Sequence, residues 1–161
     1  MKNTNQKSTF MTQASMIAAI YVVLTYIFAP FSFGDVQVRI AVALTILPAF
    51  TPAAIPGLFI GCLVGNVLGG AILPDIIFGS LATLIGAFFT YLLRKKSPFL
   101  CVLPPIASNI LIVPFVLKFG YGINLPIAFL MLTIGIGEVI SCGGLGLILY
   151  YALKKYRKLI F

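Results

Sequence analysis

Long apolar runs separated by short polar breaks dominate the sequence, and this pattern predicts helices that cross a membrane. A spanning helix needs roughly 20 mostly apolar residues to cross about 30 Å of hydrocarbon. The pattern predicts six crossings, over residues 12–29, 36–50, 54–72, 75–93, 99–117 and 125–153. Proline, glycine and charged residues mark the breaks between these runs. We therefore expect an all-α integral membrane protein, folded as one six-helix bundle.

The second apolar run, residues 36–50, is shorter than a full crossing. About 15 residues at 1.5 Å each give a helix of roughly 22 Å, which is less than the hydrocarbon thickness. Three arrangements fit this length: a tilted helix, a helix buried among its neighbours, or a helix continuous with an ordered loop.

Composition and charge agree with a membrane location and predict an orientation. The chain is 61% hydrophobic, 9% charged and has a mean hydropathy of +1.14, values too apolar for a soluble domain. Its net charge of +8 is concentrated in three basic clusters, Lys2 and Lys7, Arg94 to Lys96, and Lys154 to Lys158. The positive-inside rule places these clusters, and both termini, in the cytoplasm. We expect a single membrane domain over residues 1–161, with a cytoplasmic tail of about residues 1–10.

Four polar residues lie within the apolar runs and are candidates for a binding site, because such residues are costly in a membrane. Arg39 is expected at or near the outer surface, Asn66 about 9 Å below it, Asn109 about 12 Å and Glu138 about 18 to 20 Å, from the helical rise. This gradient is typical of a pocket that opens outward. The alternative is that each side chain makes a structural hydrogen bond between helices.

Glu138 gives the strongest indication of a ligand, since a buried carboxylate requires a cation, a proton or several donors. Arg39 is expected to contact Glu138 only through a bridging ligand, because the two residues are expected at different depths in the membrane. A carboxylate facing amides suits a planar polar heterocycle, such as a guanine-like ring with two adjacent N–H donors. Sugars, amino acids and vitamins also remain open on this chemistry alone. Gln37 and Arg39, on the outer approach, are expected to orient or cover the ligand. The segment PFSFGDVQ is the loop expected to close over the site.

Other chemistries find no support in the sequence. It contains no histidine, no P-loop pattern and no nucleophile paired with a base. Its cysteines, Cys62, Cys101 and Cys142, are scattered in apolar runs and are expected to be buried as small hydrophobic residues. We therefore expect no enzyme activity, no metal and no cofactor, and a binding subunit that obtains energy from partner proteins.

Small residues indicate close helix packing in two of the runs. Ala14 and Ala18, four residues apart, form a flat strip on the first helix that suits either a partner helix or the protein's own bundle. Gly61, Gly65 and Gly69 repeat every four residues in the third run, and we expect this repeat to pack inside the bundle.

Four stretches resemble the QueT family: VQVRIAVALTILPAFTPAAIPGLFIGCLVGNVLGG, DIIFGSLATLIGAFFTYLLR, LPPIASN and IGIGEVISCGGLGLILYYALKK. The resemblance covers nearly the whole chain. It implies the substrate-binding S component of an energy-coupling factor (ECF) transporter, a six-helix protein of the bacterial cell membrane. It also implies a coupling transmembrane subunit, contacted by Ala14 and Ala18, two cytoplasmic ATPases, and a substrate among the queuosine precursors or salvage forms, which are deazaguanine derivatives.

The chain departs from the family pattern at one position. After the arginine the family reads apolar, Ser, Glu, Ala, Leu, Thr, whereas this chain has Val42 in place of the acid. If that acid contacts a ligand substituent, the chain is expected to prefer another member of the same substrate group. Three alternatives stay open: a stand-alone transporter in which Glu138 cycles a proton, an S component for another vitamin-like heterocycle, and a structural subunit without a ligand.

Overall fold

The fold consists of helices alone in the described part of the chain, residues 2–28 and 39–160 of the computed structural model. The helices are α1 (Lys2–Ile27), a 3-10 helix (Ile40–Ala49), α2 (Ala54–Leu68), α3 (Leu73–Leu93), α4 (Pro98–Phe115), α5 (Ile127–Glu138) and α6 (Gly146–Ile160). One π-helical turn follows α4 (Val116–Gly120), and another joins α5 to α6 (Val139–Leu145). The expected all-α class is therefore confirmed for these residues.

The expected number of six membrane crossings is not confirmed. Four helices are long and apolar enough to cross, over Gln6–Ile27, Leu73–Leu93, Pro98–Gly120 and Ile127–Tyr156. They make the chain a multi-pass membrane protein. The other two apolar helices, Ile40–Ala49 and Ala54–Leu68, are shorter. The second of these ends early because Gly69 caps it and Gly70 follows with φ +77°, a left-handed conformation that suits glycine.

The short second helix lies at the centre of the bundle. Nine of its ten residues are buried, and it packs against α1, α2, α3, α4, α6 and the π turn after α5. A helix that is apolar on all sides has to be buried, so this sequence favours the central position. Ala41, Leu44 and Leu47 share one face at the three-residue period of a 3-10 helix and join the core formed with α1 and α2. Of the three arrangements expected, the structure shows the buried helix.

Glycines allow α1 and α2 to pack closely. A Cβ atom at Gly57 would lie 2.7 Å from the carbonyl oxygen of Ala14, and one at Gly61 would lie 2.8 Å from Cβ of Tyr21. The expected packing role is thus observed at Gly61, inside the protein's own bundle. Gly69, the last residue of the predicted repeat, ends the helix instead.

The connections define two ends of the bundle. The turn between α3 and α4 carries Arg94, Lys95 and Lys96, and we call this the basic end. Arg39 lies at the opposite end, together with the α2–α3 and α4–α5 connections, and we call this the Arg39 end. Neighbouring helices in sequence pack against one another from α1–α2 to α4–α5, so polar residues near the Arg39 end of several helices meet there.

Candidate functional site

A small polar cavity lies among the helices and brings three of the predicted site residues together. Its lining residues are Tyr21, Arg39, Val42, Thr83, Asn109, Val113, Ile134 and Glu138. Its volume is about 10 Å³, which is room for about one water molecule. Arg39, Asn109 and Glu138, predicted from three separate runs of the sequence, thus share one site.

Glu138 is the last residue of α5 and only 6% exposed. Its Oε1 atom accepts a hydrogen bond of 2.8 Å from Nδ2 of Asn109. Its Oε2 atom accepts none from the part of the chain that the structure describes. A buried carboxylate oxygen without a donor is energetically costly, so a ligand that donates to Oε2 would be stabilised there. The π turn begins at the next residue, and π turns in helices are frequent at functional sites.

Arg39 is held by an acid that the sequence analysis did not predict as a site residue. Its Nη2 atom lies 3.0 Å from Oδ2 of Asp75, whose side chain is fully buried. Its side chain is only 10% exposed and lines the cavity, because the helix that starts beside Arg39 runs through the centre of the bundle. The expected depth of Arg39, at or near the outer membrane surface, stays a prediction.

Among the described candidates, Asn66 is the residue that does not line the cavity. Asn66 is buried beside Asp75, where its Nδ2 atom donates to the Asp75 carbonyl oxygen at 3.4 Å and to Sγ of Cys62 at 3.6 Å. It therefore supports the residue that holds Arg39, and its expected contact with a ligand stays a prediction. Gln37 lies outside the described residues, as does the expected outer loop PFSFGDVQ.

Sequence reasoning missed two polar residues of the cavity wall, Tyr21 and Thr83. Tyr21 is 2% exposed, and Thr83 donates hydrogen bonds to the Gly79 carbonyl oxygen at 3.0 Å and to Sγ of Cys62 at 3.4 Å. Both side chains lie in the middle of long apolar helices, which is a weak signal because tyrosine and threonine are common in such helices. Their position became evident only from the packing of α1 and α3 around the central helix.

Tyr121, in the connection before α5, extends the polar contacts to the Arg39 end. Its hydroxyl group donates to Oδ2 of Asp75 at 3.2 Å and accepts a hydrogen bond from the Ile72 amide at 3.4 Å. Partial burial raises the pKa of the Tyr121 hydroxyl, and the Asp75 carboxylate raises it further. The hydroxyl group therefore stays protonated at neutral pH and remains a donor.

Val42 lines the cavity and is 1% exposed. It is the position where the resemblance described above led us to expect an acid. Because residues three apart lie on the same face of a 3-10 helix, Val42 follows Arg39 along the side that faces the cavity. The cavity wall at Val42 is therefore apolar, and it lies next to the positive charge of Arg39.

Larger cavities exist, but their chemistry differs. Three apolar grooves have volumes of about 310 to 390 Å³. Aliphatic and aromatic side chains line them, with Gln13 the polar exception. Apolar grooves on the outside of a membrane bundle suit lipid chains, whereas the small cavity carries the charged and amide groups. We therefore take the small cavity as the candidate site.

The predicted partner strip on α1 contacts the protein's own α2. The ideal Cβ of Gly57 would lie 3.2 Å from Cα of Ala14, and that of Gly61 would lie 3.1 Å from Cα of Ala18. Both alanines are nevertheless partly exposed. The strip thus packs within the bundle and keeps part of its surface accessible.

A family model described as QueT transporter matches residues 11–155. Neither the curated proteins nor the solved structures give a match to this chain. Because the family match covers most of the chain, the protein belongs to the QueT transporter family, which consists of transporters and not of enzymes.

Proposed function

We propose that this member of the QueT transporter family is the substrate-binding S component of an ECF importer, and that its polar cavity binds a 7-deazaguanine base. The substrate would be a queuosine precursor or salvage form, such as queuine or a pre-queuosine base. One observation carries the proposal: Glu138 is buried, with one oxygen bonded to Asn109 and the other without a donor among the described residues.

The polar groups of the cavity match the edge of a guanine-like ring. Such a ring presents two adjacent N–H donors, which suit a carboxylate, and a carbonyl oxygen beside them, which suits an arginine or an amide donor. Glu138 would accept from the N–H groups, while Asn109 and Arg39 would donate to the carbonyl oxygen. Val42, Val113 and Ile134 would contact the faces of the ring.

The cavity has to widen before it can hold such a base. Its volume of about 10 Å³ is far below the roughly 300 Å³ at which ligand pockets usually begin. The described conformation therefore corresponds to a closed site. Ligand binding would shift the protein toward a conformation in which the walls have separated.

Transport would depend on partners, because the sequence contains no P-loop. We propose a coupling transmembrane subunit and two cytoplasmic ATPases, with the accessible part of Ala14 and Ala18 contributing to the contact. The basic end would face the cytoplasm of a bacterial cell, and the Arg39 end would face outward. The chain would act as a single membrane domain.

Ligand binding by the purified protein in detergent tests the substrate. We expect 7-cyano-7-deazaguanine, 7-aminomethyl-7-deazaguanine or queuine to raise the melting temperature and to give saturable heats in calorimetry. Adenine and thiamine are the controls and should do neither. If no deazaguanine base stabilises the protein, the proposed substrate is wrong, and stabilisation by another vitamin would reassign it.

A second function is compatible with Glu138, since a lone carboxylate at membrane depth can also carry a proton. A stand-alone proton-coupled transporter would take up a labelled deazaguanine base into proteoliposomes when only a pH gradient is applied. The proposed S component would show no such uptake until the coupling subunit, the ATPases and ATP are added.

A further inference from the structure

Thr83 lines the cavity but takes no part in the ligand contacts proposed above. It lies on α3 and is 3% exposed. Its hydroxyl group donates to the Gly79 carbonyl oxygen at 3.0 Å and to Sγ of Cys62 at 3.4 Å. Both acceptors belong to the protein, so the single proton of this hydroxyl group is already used.

The direction of these hydrogen bonds decides what Thr83 can offer a ligand. A threonine hydroxyl group has one proton and two acceptor lone pairs. Because the proton points to Gly79 or Cys62, the Oγ1 atom can meet a ligand only as an acceptor. The ligand group that contacts Oγ1 therefore has to be a donor, such as an N–H group.

The groups around Cys62 hold this acceptor in place. Cys62 is 0% exposed, and its Sγ atom also accepts a hydrogen bond from Nδ2 of Asn66 at 3.6 Å. These contacts join α2 to α3 beside the cavity. The Thr83 hydroxyl group is therefore oriented before a ligand arrives, which lowers the cost of binding.

Thr83 and Glu138 lie on different sides of the cavity. The helix α4, which carries Asn109, packs against both α3 and α5 and thus lies between the helices that carry Thr83 and Glu138. One side of the cavity presents a carboxylate acceptor and the other presents a hydroxyl acceptor. A ligand that contacts both sides would need N–H donors on two of its edges.

A free 7-deazaguanine base has donors on two edges. Its six-membered ring carries the adjacent N–H groups that suit Glu138. Its five-membered ring contains one nitrogen, which also carries a hydrogen and lies on a different edge of the base. In the nucleoside, ribose replaces this hydrogen, so the nucleoside cannot donate to Thr83 and is also larger.

We infer that Thr83 is a specificity-determining residue of this site: its hydroxyl oxygen accepts a hydrogen bond from the five-membered-ring N–H group of the base, so that the site selects the free base over its nucleoside. The inference rests on the proposed function for the identity of the ligand.

The experiment measures Kd by calorimetry for 7-cyano-7-deazaguanine, 7-aminomethyl-7-deazaguanine and queuine, each beside its derivative methylated on the five-membered-ring nitrogen and beside its ribonucleoside. The unaltered protein should bind the free base more tightly than either derivative. Thr83→Val keeps the shape of the side chain and removes the oxygen. We expect Kd of the free base to rise by roughly tenfold, because a buried N–H group loses its acceptor. Kd of the methylated base should stay nearly unchanged.

Thr90→Val is the matched control. Thr90 lies on the same helix, is 0% exposed and donates to the Cys101 carbonyl oxygen at 2.8 Å, but it does not line the cavity. This variant also loses a buried hydroxyl group, yet it should leave the ratio of the two Kd values unchanged. Thr83→Ser keeps a hydroxyl group and should retain the preference for the free base.

The outcomes separate the inference from the proposed function. If the unaltered protein binds none of the bases, the proposed function fails, and the inference fails with it. If it binds a base but the ratio is the same in Thr83→Val, the inference alone is wrong. An equal fall of the ratio in Thr90→Val would also overturn it, since the change would then follow from lost stability. A fall in Tyr21→Phe, without one in Thr83→Val, would assign the acceptor to Tyr21 instead.

Discussion

Two buried polar pairs lie in the same bundle, and they differ in charge balance. Arg39 and Asp75 carry opposite charges, and Tyr121 adds a further donor to Asp75. Glu138 has only the neutral amide of Asn109 as a direct partner among the described residues. A buried charge is tolerated when it is paired and hydrogen-bonded, and it is costly otherwise. The first pair therefore suits a structural contact, and the second suits a contact completed by a ligand.

The largest expected effect is on stability, from breaking the balanced pair. Asp75→Asn leaves the Arg39 guanidinium buried without its counter-charge, which typically costs about 3 to 5 kcal/mol. We expect a clear fall in the melting temperature in detergent, together with weaker ligand binding because Arg39 is no longer held. Tyr121→Phe, which keeps the ion pair, serves as the control and should retain most of the stability. An unchanged melting temperature in Asp75→Asn would contradict the structural role of this pair.

Altering the second pair, Glu138 and Asn109, should have the opposite effect: stability is retained and ligand affinity is lost. Glu138→Gln keeps the shape and an acceptor for Asn109, so we expect the melting temperature without ligand to stay the same or rise. Two hydrogen bonds from the ligand to a charged acceptor are lost, at about 1.5 kcal/mol or more each, and Kd should therefore increase at least roughly a hundredfold. Calorimetry with the best-binding deazaguanine base measures this change. Equal affinity in the variant and the unaltered protein would rule out the role assigned to Glu138.

The sequence was sufficient to predict Glu138 and Asn109 as site residues and to predict the order of the helices. Glu138 and Asn109 are polar residues in apolar runs, and the cost of burying them makes them visible without a structure. The same reasoning found Arg39. The apolar runs also predicted each helical segment, but they could not reveal the 3-10 form of Ile40–Ala49. A segment that is apolar on all sides carries no periodic signal from which its helix type can be read.

The balanced pair was not predictable in the same way. Asp75 follows a proline at the start of a run, where an acid is ordinarily explained by helix capping or by exposure at the membrane surface. Tyr121 lies in a short connection between two runs, and its contact with Asp75 spans 46 positions in sequence. Such contacts depend on how the helices pack, which neither composition nor periodicity specifies.

A smaller effect should follow from removing the amide of the second pair. Asn109→Ala removes the hydrogen-bond donor that Glu138 has among the described residues, a loss of about 1 to 3 kcal/mol in stability. Because the carboxylate remains available to the ligand, we expect Kd to rise by about tenfold, which is less than in Glu138→Gln. Ser108→Ala is the neighbouring control, since the Ser108 hydroxyl group donates to the Pro105 carbonyl oxygen of its own helix. If Asn109→Ala reduced affinity more than Glu138→Gln, the amide would be the main ligand contact.

The smallest expected effect is on ligand selectivity. It follows from a change in the charge of the cavity wall beside Arg39. Val42→Glu places an acid on the cavity wall beside Arg39, one 3-10 turn away. A base with a cationic aminomethyl group would gain an opposite charge, whereas a base with a neutral cyano group would not. We expect the ratio of the two Kd values to shift toward the aminomethyl base by up to about tenfold, consistent with a partly compensated charge contact. Val42→Gln has a similar size without the charge and should leave this ratio unchanged. A shift of the same size in both variants would show that the shape of the side chain, and not its charge, selects the substituent.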